Sequence, residues 1–146
     1  MKDHEGLVLN YYGPSTMTAK LKPGLSVTVS QETDYPVDST INLRVKPSSD
    51  SSFTLKLRIP YWSVRTKITI NGEKLSATAG TYLRIDRKWQ SGDSIQLALD
   101  LSLHLWRGTE DCKGLASIYR GPLLLAYDHR YNLEHGGSKP EIRNLA

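Results

Sequence analysis

Six stretches of this chain alternate apolar and polar residues with a period of two, and none sustains the 3.6-residue period of a helix. The stretches are residues 25–29, 41–45, 53–59, 68–70, 82–85 and 95–105. On a strand, successive side chains point to opposite faces, so such alternation sends one face into a core and leaves the other in water. Turn residues separate the runs: Pro23-Gly24, Pro47-Ser48-Ser49-Asp50, Asn71-Gly72, Ala79-Gly80 and Ser91-Gly92-Asp93. Asn71-Gly72 is the strongest of them, because both residues tolerate the positive φ of a type I′ hairpin. The pattern predicts an all-β fold, an antiparallel, jelly-roll-like β-sandwich of about nine short strands.

A chain of 146 residues fits one domain and buries roughly two-thirds of its unfolded surface without covalent staples. The expected division is a sandwich over residues 13–130. Residues 1–12 read as a first strand or the end of a preceding domain, and residues 131–146, with Gly136-Gly137-Ser138-Lys139-Pro140, as a polar tail or linker. The first six residues lack the apolar stretch of a secretory leader, so a longer parent would carry one elsewhere.

The net charge is +4 and reads as spread along the chain. The cluster Arg84-Ile85-Asp86-Arg87-Lys88 reads as a solvated strand edge, which excludes nucleic acid as a partner. No window approaches the roughly 20 apolar residues of a membrane-spanning helix, so no membrane partner is expected. The single cysteine, Cys112, reads as a small buried or half-buried hydrophobe.

Candidate chemistry is sparse. Glu110 and Asp111 are adjacent and read as a solvated loop, unlike the spatially separated pair that carboxylate glycosidases need. Asp34, Asp38, Asp86 and Asp93 are expected in turns, where aspartate caps the backbone. His4, His104, His129 and His135 are scattered, and His104 is expected to face solvent or a domain partner. No catalytic or metal-ligating residue is assigned. Aromatic rings can stack on the C–H faces of sugars, and Trp62 and Trp106 are the carbohydrate-binding candidates. Tyr11, Tyr12 and Tyr61 are further aromatics of that kind, whereas Trp89 is expected in the core.

Four ordered motifs carry a family resemblance. They are Leu57-Arg58-Ile59-Pro60-Tyr61-Trp62, then Ile70-Asn71-Gly72-Glu73, then residues 82–93 in the pattern Tyr82, Ile85, Arg87, Trp89, Gly92-Asp93, and finally Tyr119-Arg120-Gly121-Pro122-Leu123-Leu124-Leu125-Ala126-Tyr127. Together they resemble the C-terminal β-sandwich region of the β-L-arabinofuranosidase-type glycoside hydrolases, family 127 of that class, over about residues 7 to 128. Tyr35-Pro36-Val37-Asp38 departs from the family's Y-P-W-x-G, losing its aromatic.

The resemblance implies that catalysis belongs to an upstream helical barrel with a cysteine nucleophile, a glutamate acid/base and a cysteine-bound zinc. None of those residues can be carried onto this chain, since such a zinc site needs several thiolates. The expected role is a non-catalytic accessory domain packing on that barrel in the same polypeptide. A carbohydrate-binding module for plant-type glycans and a structural or homodimerising module are the alternatives. The resemblance also implies arabinose-containing substrates and, for many relatives, bacterial origin. Periplasmic or extracellular residence suits such a parent, and these residues assign none.

Overall fold

The computed structural model of the chain describes Met1 and residues 6–126. The expected tail at 131–146 lies outside the described residues, as do His4, His129 and His135. Twelve strands are found among the described residues: β1 (Gly6–Leu9), β2 (Ser15–Lys22), β3 (Leu25–Glu32), β4 (Thr40–Pro47), β5 (Ser51–Arg58), β6 (Lys67–Ile70), β7 (Glu73–Leu75), β8 (Tyr82–Trp89), β9 (Asp93–Ala98), β10 (Leu103–Arg107), β11 (Ala116–Arg120) and β12 (Leu123–Leu125). A single 3₁₀ turn, Glu110–Cys112, is the one helical element among them.

Strands β1–β9 build a sandwich. One sheet has the order β2-β3-β4-β9-β6-β7 and the other β1-β5-β8. The alternation explains the core directly. Val27, Val29, Ile41, Leu43, Val45, Ile68, Ile70, Ile95 and Leu97 from the larger sheet meet Leu7, Leu9, Phe53, Leu55, Leu57, Ile85 and Trp89 from the smaller one. Each such side chain contributes about 1.5–3 kcal/mol when fully buried. Trp89 is fully buried, as expected. Its ring stacks on Phe53 at 5.7 Å, and its indole N–H donates to the Phe53 carbonyl at 2.9 Å.

Asn71 and Gly72 take φ of 50° and 88°, so the β6–β7 hairpin has the backbone that its residues favour. The edge strand β2 is polar and ends in Lys20 and Lys22, which discourages pairing with another chain. Residue 6 lies in the sandwich: β1 runs parallel to β5, with Gly6 against Thr54. A Cβ on Gly6 would stand 2.0 Å from the Thr54 carbonyl oxygen, so glycine alone permits this approach.

The structure corrects several readings. The β1–β5 pair is parallel within an otherwise antiparallel fold. The strand count exceeds nine because β2 has little apolar content to reveal it, β7 is only three residues long, and residues 95–105 form two strands. The second half of that long alternation, β10, joins a separate three-stranded sheet in the order β10-β11-β12. The break falls at Asp100, whose N–H donates to Ser63 Oγ at 2.7 Å and whose carboxylate accepts from Arg65 and the Ser102 N–H. Asp86 lies within β8 instead of a turn, bonded to Thr54 and Arg84. Cys112 is exposed, because the loop from β10 to β11 that carries it packs on no core.

Candidate functional site

The two tryptophans singled out from sequence both lie on the His104 face of the β10–β12 sheet. Pro60 follows the end of β5 and releases the chain from the ladder, so Trp62 projects from the turn beyond it. Its ring stacks on His104 of β10, centroids 6.5 Å apart and 9° from parallel. His104 in turn stacks on Tyr119, its cross-strand partner on β11, at 5.4 Å. Trp106 follows two residues along β10 and so shares the face of His104. Trp62 and His104 are half-buried, whereas Trp106 is 60% exposed.

Gly121 holds the sheet against the sandwich. Its N–H reaches the Ser102 carbonyl at 3.5 Å, and a Cβ on it would meet Leu101 and Trp62. Arg120 adds a hydrogen bond to the Val37 carbonyl at 3.4 Å.

The opposite face of the same sheet was missed from sequence. Leu103 and Leu105 of β10, Ile118 of β11, and Leu123 and Leu125 of β12 stand together by register. Leu103 is 65% exposed, and Leu105, Leu123 and Leu125 are also open to solvent. A signal was present. Leu103-His104-Leu105-Trp106 is weakly polar on both faces, a pattern typical of strands covered on both sides. Leu123-Leu124-Leu125 likewise cannot hide all three side chains behind one sheet.

Near the loop that follows β10, an open cleft of about 560 Å³ is lined by Trp106, Cys112 and Leu115 among others. Glu110 and Asp111 sit in the 3₁₀ turn beside it, with no buried residue in that turn. Among the described residues no group of three or more His, Cys, Asp or Glu gathers to hold a metal ion. A cysteine-rich zinc centre does not fit this chain, whose donor set holds one thiol. Of the remaining aromatics, Tyr12 and Tyr35 come together by the C-terminal end of β5. Tyr12 donates to the Arg58 carbonyl at 2.7 Å and meets Tyr35 edge-on at 6.3 Å. Tyr11 and Tyr61 lie exposed. Burial, partly offset by the Arg58 charge, pushes the Tyr12 hydroxyl well above the usual phenol range.

Comparison with known proteins agrees with the fold. A family model described as the middle domain of the GH127 β-L-arabinofuranosidases matches residues 6–101. The motif reading spoke of a C-terminal region, and the matched model describes a middle one. Its match ends just before β10. A solved glycoside hydrolase is similar at 32% identity and a TM-score of 0.76, over 83% of this chain and 21% of its own. A GH127 β-L-arabinofuranosidase from Geobacillus stearothermophilus T6 is similar at 34% identity and a TM-score of 0.77, over 85% of this chain and 20% of its own. A further GH127 β-arabinofuranosidase, at 24% identity and a TM-score of 0.70, shares the fold. None of the curated proteins matches the chain. The chain thus spans about a fifth of the length of the solved structures it matches. With the family model covering most of its length, the chain belongs to the GH127 β-L-arabinofuranosidase family, as the family's middle β-sandwich domain.

Proposed function

We propose that this chain is a non-catalytic accessory domain of a β-L-arabinofuranosidase-type glycoside hydrolase, and that it packs through its β10–β12 sheet on the part of the polypeptide that performs catalysis. One observation carries this reading. A sandwich with a filled core is followed by a three-stranded sheet whose leucines stand in solvent. Apolar side chains gathered this way mark a surface that another surface covers. The solved relatives supply the room for a partner, since four-fifths of each lies beyond what this chain matches.

In this reading the helical barrel and its zinc belong to the partner region, together with arabinoside specificity. The domain supplies the fixed orientation. Assay of the purified, zinc-supplemented chain on an aryl β-L-arabinofuranoside tests the non-catalytic half. The expected rate is that of buffer, and turnover that follows the chain through purification overturns it.

A second reading rests on Trp106. Its exposed ring shares a face with the Trp62–His104–Tyr119 stack, a platform suited to sugar C–H faces. It predicts retardation of the chain in gels containing neutral arabinan, abolished by Trp106→Ala. Unretarded migration on arabinan, arabinogalactan and xylan overturns it.

A further inference from the structure

The turn between β6 and β7 carries a reactive pair as well as a conformation. The amide carbon of an asparagine side chain can be attacked by the backbone nitrogen of the next residue, closing a five-membered imide. Glycine in that next position hinders the attack least, because it has no Cβ. The chain has asparagine at positions 10, 42, 71, 132 and 144, and only Asn71 is followed by glycine; the others precede tyrosine or leucine. Asn71 and Gly72 are both exposed. Nothing lies within 4 Å of where a Cβ on Gly72 would stand.

The folded hairpin holds this reaction off in two ways. The first is the backbone. Asn71 sits at a φ of 50°, in the left-handed region, whose ψ is about +47°. There Cβ and the following nitrogen lie nearly opposite each other about the Cα–C bond, so the side chain cannot reach the Gly72 nitrogen. The second is the set of partners on β9. The Asn71 N–H donates to the Ser94 carbonyl at 3.0 Å, and its Oδ1 accepts the Ser94 N–H at 2.9 Å. Asn71 thus continues the ladder beside Ser94 with its side chain where its backbone turns away. Its Nδ2, the leaving nitrogen of the reaction, donates to Asp93 Oδ1 at 2.8 Å.

The hairpin is placed where such protection is interrupted by local opening. Strand β7 is three residues long and lies at the edge of the six-stranded sheet. Of its residues only Leu75 packs against the core, and that one is half-buried. Short edge elements with few buried contacts open far more often than the whole domain unfolds.

We propose that Asn71 is a site of spontaneous, irreversible modification, deamidating through an imide with Gly72 when the β6–β7 hairpin opens, and that the product keeps the hairpin from closing as tightly. The Gly72 nitrogen gives its proton to solvent and bonds to Asn71 Cγ, while the Cγ–Nδ2 bond breaks and ammonia leaves. Water then opens the imide at either carbonyl, leaving aspartate or isoaspartate at position 71. Either product replaces the amide donor with a carboxylate facing Asp93, and carboxylates so placed repel. Asp93 also accepts from the Gln90 N–H at 2.9 Å, so the repulsion reaches the turn between β8 and β9.

The test ages the intact 146-residue chain in mildly alkaline buffer with and without concentrated urea. Conversion at position 71 is followed by peptide mass mapping and by labelling with an isoaspartyl methyltransferase. Asn71 is expected to convert more than about ten-fold faster in urea than in buffer, and Leu75→Ala to convert about ten-fold faster than the parent in buffer, because it loosens the hairpin without touching Asn71. Asn71→Asp, which tolerates the same φ, is expected to melt several degrees below the parent. Conversion in the folded parent as fast as in urea overturns the proposal, as does an Asn71 that stays intact in urea. Leu75→Ala converting no faster than the parent, or Asn71→Asp melting with it, overturns it equally.

Discussion

Arg65 grips Asp100 with two hydrogen bonds, Nε to Oδ2 at 3.0 Å and an Nη to Oδ1 at 3.2 Å. The carboxylate is buried and the guanidinium largely exposed. The grip marks the point where the sandwich ends and the chain departs into the β10–β12 sheet. The Arg65 hydrogen bond holds the Asp100 carboxyl well below the usual carboxylate range, against the opposing effect of burial, and Ser102 adds to the lowering.

The sign of the pH dependence follows. A carboxylate whose folded pKa is lowered stabilises the protein above its unfolded value of about 3.9 and loses that contribution as pH falls toward the folded value. Asp100→Asn should therefore lower the urea midpoint at pH 7, by an amount corresponding to about 1–3 kcal/mol. The gap between variant and parent should shrink as the pH is taken from 5 toward 2. A gap that stays constant across that range would show that the charge on Asp100 is not what matters.

Asn71 and Asp93 couple two turns that lie 22 residues apart. The Asn71 amide donates to Asp93 Oδ1 at 2.8 Å, and its oxygen accepts from the Ser94 N–H at 2.9 Å. The other carboxylate oxygen accepts from the Gln90 N–H at 2.9 Å. Burial works against the Asp93 charge, but these hydrogen bonds and Arg87 outweigh it and lower its pKa. Asn71→Gly keeps the positive φ that the turn needs and removes only the hydrogen bonds. It is expected to cost about 1–2 kcal/mol in urea unfolding, and Asn71→Ala more, because alanine is strained at that φ. Equal stability of Asn71→Gly and parent would remove the coupling.

Gly6→Ala tests the seat of β1. The added methyl would collide with the Thr54 carbonyl and push β1 from the edge of β5. The expected loss is about 2 kcal/mol or more. Hydrogen exchange should quicken at Leu7 and Leu9 before it does in β4. Unchanged protection at those amides would contradict the arrangement.

Much of the sandwich was legible in sequence because its chemistry is local. Ile41, Leu43 and Val45 point inward for the same reason that Asn42 and Arg44 point out, and Asn71-Gly72 specifies its own turn. Three features escaped. Strand β2, with Thr16, Thr18 and Lys20 in solvent, brings only Ala19 and Leu21 partly against the core, too short an apolar face to announce it. The parallel pairing of Gly6 with Thr54 depends on residues almost fifty positions apart. The division of residues 95–105 depends on Asp100, whose partners Ser63 and Arg65 lie outside the alternating run. At the candidate site, Trp62 and Trp106 could be named as aromatics, but the face they share with His104 is set by how β10 leaves the sandwich.

The uncovered leucines of β10 provide the most direct test of the central claim. Leu103→Asp with Leu105→Asp is made twice, in this chain alone and in a family-length polypeptide carrying the domain. Melting temperature is measured for both, and arabinofuranoside turnover for the long form. The account predicts that the isolated chain melts within about 2 °C of its parent, since surface changes away from packed contacts cost little, while the long form loses several degrees and most of its turnover. A long form that keeps its melting temperature and turnover, or an isolated chain destabilised as much as the long form, would contradict it.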